Sequence, residues 1–196
     1  MRATERFGIL VWLALFLALH VSAQDMQPTL EDTMTFIANT LNSRGNVSWT
    51  TTDQDLLGAK WTTTTSLAQV NADPSACSLA WTSIKIQYPV KTVETYLVQL
   101  RGVSGVTVQS HSRSNAAQKG GDKLRFSPDT YLLQIKTTTA ISGHSQSYKQ
   151  DKLKSTAKLP HDHAAEIPFA DEQAATRVAD AIRRAAGLCG ATQSSQ

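Results

Sequence analysis

Charge of one sign, long apolar runs and cysteine are all in short supply in this chain. Its 196 residues carry 19 Lys and Arg against 16 Asp and Glu. So even a balance argues against nucleic acid as a partner, which needs clustered basic residues at high domain pI. After residue 23 no stretch is apolar enough to cross a bilayer, so no transmembrane anchor is expected in the mature chain. Only two cysteines are present, Cys77 and Cys189, and neither stands where a lipoprotein lipid would be attached. No internal repeat is found, no cofactor is implied, and no motif specifies a reaction.

What is present at the start decides the expected compartment. Arg2 and Arg6 precede an apolar run from Phe7 to Val21, which ends in the small-x-small sequence Val21-Ser22-Ala23. That run is about 15 residues, short of the ~20 that a permanent helix needs to span a bilayer. The pattern is that of a cleavable signal peptide over residues 1–23, with a secreted or periplasmic mature chain over 24–196. Cleavage removes Arg2, Arg6 and Glu5 from the totals, leaving 17 basic residues against 15 acidic ones. In an oxidising compartment the even cysteine count invites a Cys77–Cys189 disulfide. Two separately buried thiols are the alternative.

The mature chain reads as a helix, a long series of strands and a second helix. Thr29 and Asp32 form a capping-box pattern ahead of Leu30, Met34, Ile37 and Leu41, which recur at helical spacing until Gly45. From Val47 to about Phe169 the period becomes two. Trp61, Thr63, Thr65 and Leu67 share one face, as do Cys77, Leu79 and Trp81. Ile84, Ile86 and Tyr88 take the other parity, which places a bulge near Thr82. Tyr96, Val98 and Leu100 alternate, as do Tyr131, Leu133 and Ile135, and shorter strands surround Val106 and Ile167. Six to eight antiparallel strands are expected. The polar segments His111–Phe126 and Ser142–Lys158 read as loops. Asp171 then caps a helix whose buried stripe is Ala174, Val178, Ala181, Ile182, Ala185 and Leu188, with Gly190 as its stop and a frayed tail over 191–196.

Strands grouped between helices argue one α+β domain in which a curved antiparallel sheet is covered by the C-terminal amphipathic helix. In element order this resembles the pleckstrin-homology-like barrel. More locally, Pro28–Gly45, Cys77-Ser78-Leu79-Ala80-Trp81 and Ile167–Gly190 resemble uncharacterised exported bacterial proteins. That resemblance covers about a third of the chain, implies no activity, and gives Cys77 and Cys189 a fixed role. Asn46-Val47-Ser48 matches a glycosylation acceptor, which matters only in a eukaryotic secretory pathway.

Three constellations bear on chemistry. Gly143-His144-Ser145-Gln146-Ser147 resembles the nucleophile elbow of α/β-hydrolases, with Ser145 as nucleophile and His163 as base, but Ser147 replaces the last glycine. His161 and His163, two apart on an extended strand, face the same side and form half of a zinc site, with His111, His144 and Glu166 as remaining ligand candidates. The third is charge. Arg113, Lys119, Lys123 and Arg125 in the first polar segment, and Lys149, Lys152 and Lys154 in the second, form a cationic rim if the two segments meet in space. Trp49, Trp61 and Trp81 read as core. The expected function is an exported, non-catalytic binding domain for an anionic small molecule or an envelope partner. A small hydrolase, a zinc protein and a structural component of an envelope assembly are the alternatives.

Overall fold

Thr29 starts the first helix, α1 (Leu30–Arg44), by the reciprocal bonding its sequence predicts. Its Oγ1 accepts from the Asp32 amide at 3.1 Å, and the Asp32 carboxylate accepts from the Thr29 amide at 3.2 Å. These bonds satisfy amides that a helix start leaves unpaired. The computed structural model describes residues 28–53, 56–111, 124–159 and 163–191. The expected signal peptide, Arg113, Lys119, Lys123, His161 and the tail after 191 lie outside the described residues. At the end of α1 the Gly45 amide donates to Leu41 at 2.9 Å. A Cβ at Gly45 would come within 2.7 Å of Leu67, so only glycine lets the chain turn this close to the sheet.

Ten strands follow among the described residues, against the six to eight expected. They are β1 (Val47–Asp53), β2 (Ala59–Asp73), β3 (Ser78–Gln87), β4 (Val90–Gln99), β5 (Val103–Ser110), β6 (Leu124–Ser127), β7 (Tyr131–Thr137), β8 (Ser142–Lys149), β9 (Lys152–Lys158) and β10 (Ala164–Phe169). They form a seven-stranded sheet in the order β6-β1-β2-β3-β4-β8-β9 and a three-stranded sheet in the order β10-β7-β5, with every pairing antiparallel. The C-terminal helix, α2 (Glu172–Leu188), packs on β5, β7 and β10 and against α1, and α1 in turn packs on β2. The fold class is α+β, as the grouping of elements predicted.

The surplus strands come mainly from Ser142–Lys158, which is a β-hairpin and not a loop. Every residue of β9 is exposed, so neither of its faces needs an apolar side chain and no alternation marks it. The bulge also sits elsewhere than expected. β3 runs unbroken through Thr82, and the register slips in the facing strand, between Ala68 and Asn71. There Gln69 takes a φ of 53° and accepts a 3.0 Å hydrogen bond from Thr82. Beyond this point β3 leaves the core, and Tyr88 is 88% exposed in the turn that follows.

One apolar cluster joins both helices to the sheets, with Ile37, Leu41, Leu79, Val98, Leu133, Ile135, Ile167, Phe169, Val178 and Ile182 fully buried. Leu188 departs from its expected place and is 53% exposed, while Ala175, Ala179 and Ala186 are buried. The reason is that α2 touches α1 on one side and the small sheet on another, so its buried arc is wide and filled by small residues such as Ala185 and Ala186, and Leu188 falls outside that arc. Cys77, in the β2–β3 turn, is bonded to Cys189 at the C-cap of α2 across 112 residues of chain. Arg183, which the apolar stripe leaves out, reaches back so that Nε and Nη2 donate to the Val106 carbonyl at 3.1 and 2.7 Å. It occupies a polar group on β5, an outer strand of the small sheet, where unpaired backbone would otherwise invite another strand.

Candidate functional site: a cleft between the two sheets

Cross-strand pairing decides what faces the space between the sheets. On the large sheet Val47, Thr65, Lys85, Thr92 and Ser147 lie directly across from one another, and in the next row Ser83, Glu94 and Ser145 do the same. On the small sheet Leu132 pairs with Pro168, Gln134 with Glu166 and Lys136 with Ala164. Residues of alternate parity there, Leu133, Ile135, Ile167 and Phe169, are buried in the core. The small sheet is therefore apolar on one face and mostly polar on the other. Its polar face and the large sheet enclose a cleft of about 770 Å³, within the size range of small-molecule sites.

Two lysines line this cleft, Lys85 from β3 and Lys136 from β7, both also exposed to solvent, together with Glu94, Glu166, Trp49 and Tyr96. Both carboxylates already have partners. Glu94 accepts from the Tyr96 hydroxyl at 2.8 Å, and Glu166 accepts from the Gln134 amide at 3.1 Å. Tyr96 is held in place by stacking on the buried Trp81, with ring centroids 5.0 Å apart. No carboxylate lies within ion-pair distance of Lys85 or Lys136 among the described residues. The uncommitted charge in the cleft is cationic.

His111 closes one side. Its amide donates to the Thr130 carbonyl at 2.8 Å, and Nδ1 lies 3.1 Å from Thr130 Oγ1. Its ring packs edge-on to Trp49 and beside Phe126, at centroid distances of 4.9 and 4.6 Å. Burial, and after it the nearby Lys85 ammonium, push the imidazole down to about 4. The folded protein thus keeps His111 neutral where an unfolded chain protonates it near 6.5. The stability this contributes is fully present above pH 6.5 and is lost as pH falls toward 4. Discounted for the partly exposed ring, it amounts to about 1–2 kcal/mol. Urea titrations at neutral and acid pH should show that much less acid destabilisation in His111→Phe than in the parent. Equal losses in the two proteins would reject the assignment.

The other residues singled out from sequence are dispersed. Ser145 lies within β8, paired antiparallel with Glu94, and not at a strand-to-helix turn, so the elbow geometry is not formed. Its Oγ stands 3.5 Å from the Glu94 carboxylate, and the adjacent His144 points to the other face of the strand. His163 lines the cleft, and its carbonyl accepts from the Thr137 amide at 2.7 Å. No group of three or more metal-ligating side chains occurs among the described residues. Of the cationic rim, Lys149, Lys152 and Lys154 cluster on the β8–β9 hairpin, whereas Arg125 lies on β6, at the opposite edge of the seven-stranded sheet.

No family model, curated protein or solved structure matches this chain. Its functional reading therefore rests on the cleft itself. Sequence reasoning placed Trp49 in a core strand without seeing that one edge faces a cavity, and it missed Lys85, Glu94 and Lys136 altogether. The only available signal for these was a charged residue on the inward parity of a strand, and which parity faces inward is set by the pairing of distant strands.

Proposed function

We propose that the protein is a non-catalytic binding domain, working outside the cytoplasm, whose cleft takes a small molecule bearing a carboxylate or phosphate and an apolar body. The observation that carries this reading is the pair of lysines, Lys85 and Lys136, lining a cleft whose two carboxylates are already hydrogen-bonded. The anionic end of a ligand would complete those two cations, and Trp49 and Tyr96 offer a surface for the apolar part. The Cys77–Cys189 bond accords with an oxidising compartment, as the signal-peptide pattern does.

A thermal-shift screen of carboxylate- and phosphate-bearing amphiphiles tests it. A compound that binds only the folded form raises stability by about 2.7 kcal/mol at a hundredfold excess over Kd. At least one such compound should raise Tm, and Lys85→Gln with Lys136→Gln should weaken its binding roughly 10-fold or more, at about 1.5–3 kcal/mol for a charge-assisted bond. A ligand whose affinity ignores both substitutions, or a panel without any shift, would defeat the reading.

A further inference from the structure

The ends of the large sheet are unlike. One carries the disulfide, and the turns β1–β2, β3–β4 and β8–β9 all project from the other, because the strands alternate in direction across the sheet order. The last two of these turns are joined by a 3.4 Å hydrogen bond from the Gln150 amide to the Pro89 carbonyl. Gln150 and Asp151 have φ of 52° and 58°, the left-handed pair of a tight two-residue hairpin. That turn sets Lys149 directly opposite Lys152, two like charges at paired positions, with Lys154 two residues on. Like charges so placed repel, and Asp151 is the one carboxylate in the turn.

Beside these lysines lie exposed apolar side chains. Tyr88 is 88% exposed, Leu153 54%, Ile86 46% and Val90 39%. Further out on the same end, Leu56 and Leu57 stand in the β1–β2 turn. Lysines alone are a common defence of an edge strand against pairing. That defence does not account for a tyrosine and three aliphatic side chains held in water next to them.

We infer that this end of the molecule docks on the surface of a bilayer containing anionic lipid, with Tyr88 and Leu153 entering the headgroup layer and Lys149, Lys152 and Lys154 meeting the phosphates. Charge complementarity selects this partner, since lysines near an anionic surface add attraction that falls off within a Debye length. Tyrosine, apolar in its ring and polar at its tip, suits that boundary. The surface is separate from the cleft, so docking leaves Lys85 and Lys136 free to bind.

Co-sedimentation of the full chain with vesicles decides the matter. One set is phosphatidylcholine alone, and in the other phosphatidylglycerol replaces part of it. The protein should sediment with the second set only, and added salt should release it. Lys149→Glu with Lys152→Glu and Lys154→Glu should cut binding roughly 10-fold or more. Tyr88→Ser with Leu153→Ser should cut it several-fold while leaving its salt dependence intact. All five positions are on the surface, and an unchanged Tm confirms that the variants fold. Any binding through residues 1–27 is common to all these proteins, is measured on the phosphatidylcholine set and is subtracted before the variants are compared. Binding that ignores lipid charge, persists in the triple variant, or fails on both vesicle sets overturns the inference, and leaves an acidic protein surface as the other occupant of this end.

Discussion

Reducing the Cys77–Cys189 bond, or replacing both residues with alanine, should lower stability by about 4–5 kcal/mol, the figure chain entropy gives for a loop of roughly 100 residues. With its ends 112 positions apart in sequence, this bond restricts most of the described chain when it unfolds. It also fixes a particular junction in the native state. Cys77 accepts the Leu100 amide at 2.8 Å while Cys189 caps α2, so the bond ties the β2–β3 turn and the end of β4 to the helix that covers the small sheet. Urea denaturation of parent and double-alanine protein under identical buffer conditions measures the effect. A loss under about 1 kcal/mol would mean that the unfolded chain is already compact, and that the bond adds little constraint to it.

The second large effect is expected at Gly143. There β8 comes so close to β4 that an added Cβ would run into the Thr95 carbonyl oxygen and the Leu159 side chain. Leu159 can yield, but Thr95 offers a backbone atom fixed in the ladder. Gly143→Ala should therefore cost about 3 kcal/mol, the upper part of the usual range for overpacking. Adding Leu159→Ala should recover only a minor part of that. Denaturation midpoints of the two variants read this directly, and a Gly143→Ala protein as stable as the parent would show that the strands can part without cost. The same glycine resembled the first position of a hydrolase elbow in sequence. Its structural reason is strand-to-strand contact, not exposure of the following serine.

Where local chemistry sets the structure, sequence was enough. Thr29 with Asp32, the Met34–Ile37–Leu41 stripe and Asp171 ahead of α2 are all found as expected, because caps and helical periodicity act within one or two turns. Strands with one buried face, such as Trp61 to Leu67, were equally legible. β8 and β9 were hidden, since β9 is exposed throughout and the half-buried positions of β8 are mostly polar, so neither carries an apolar period that distinguishes it from a loop. The cleft was hidden for a different reason. Lys85, Glu94 and Lys136 come from strands up to 51 residues apart in number, and they meet only because two separate sheets face one another. The cationic rim illustrates the same limit, because the sheet order that separates Arg125 from Lys152 appears nowhere in local composition.

The packing of α1 against α2 also bears on when this protein can fold. The earliest described element buries Met34, Ile37 and Leu41 partly against the latest, and that latest element also covers β5, β7 and β10. A nascent chain missing its final 25 residues therefore has neither a closed core nor the second cysteine. Contacts of such long sequence separation slow folding, because the loop must close before any of them is rewarded. Synthesis from the N-terminus consequently leaves the core open until α2 and Cys189 have been made.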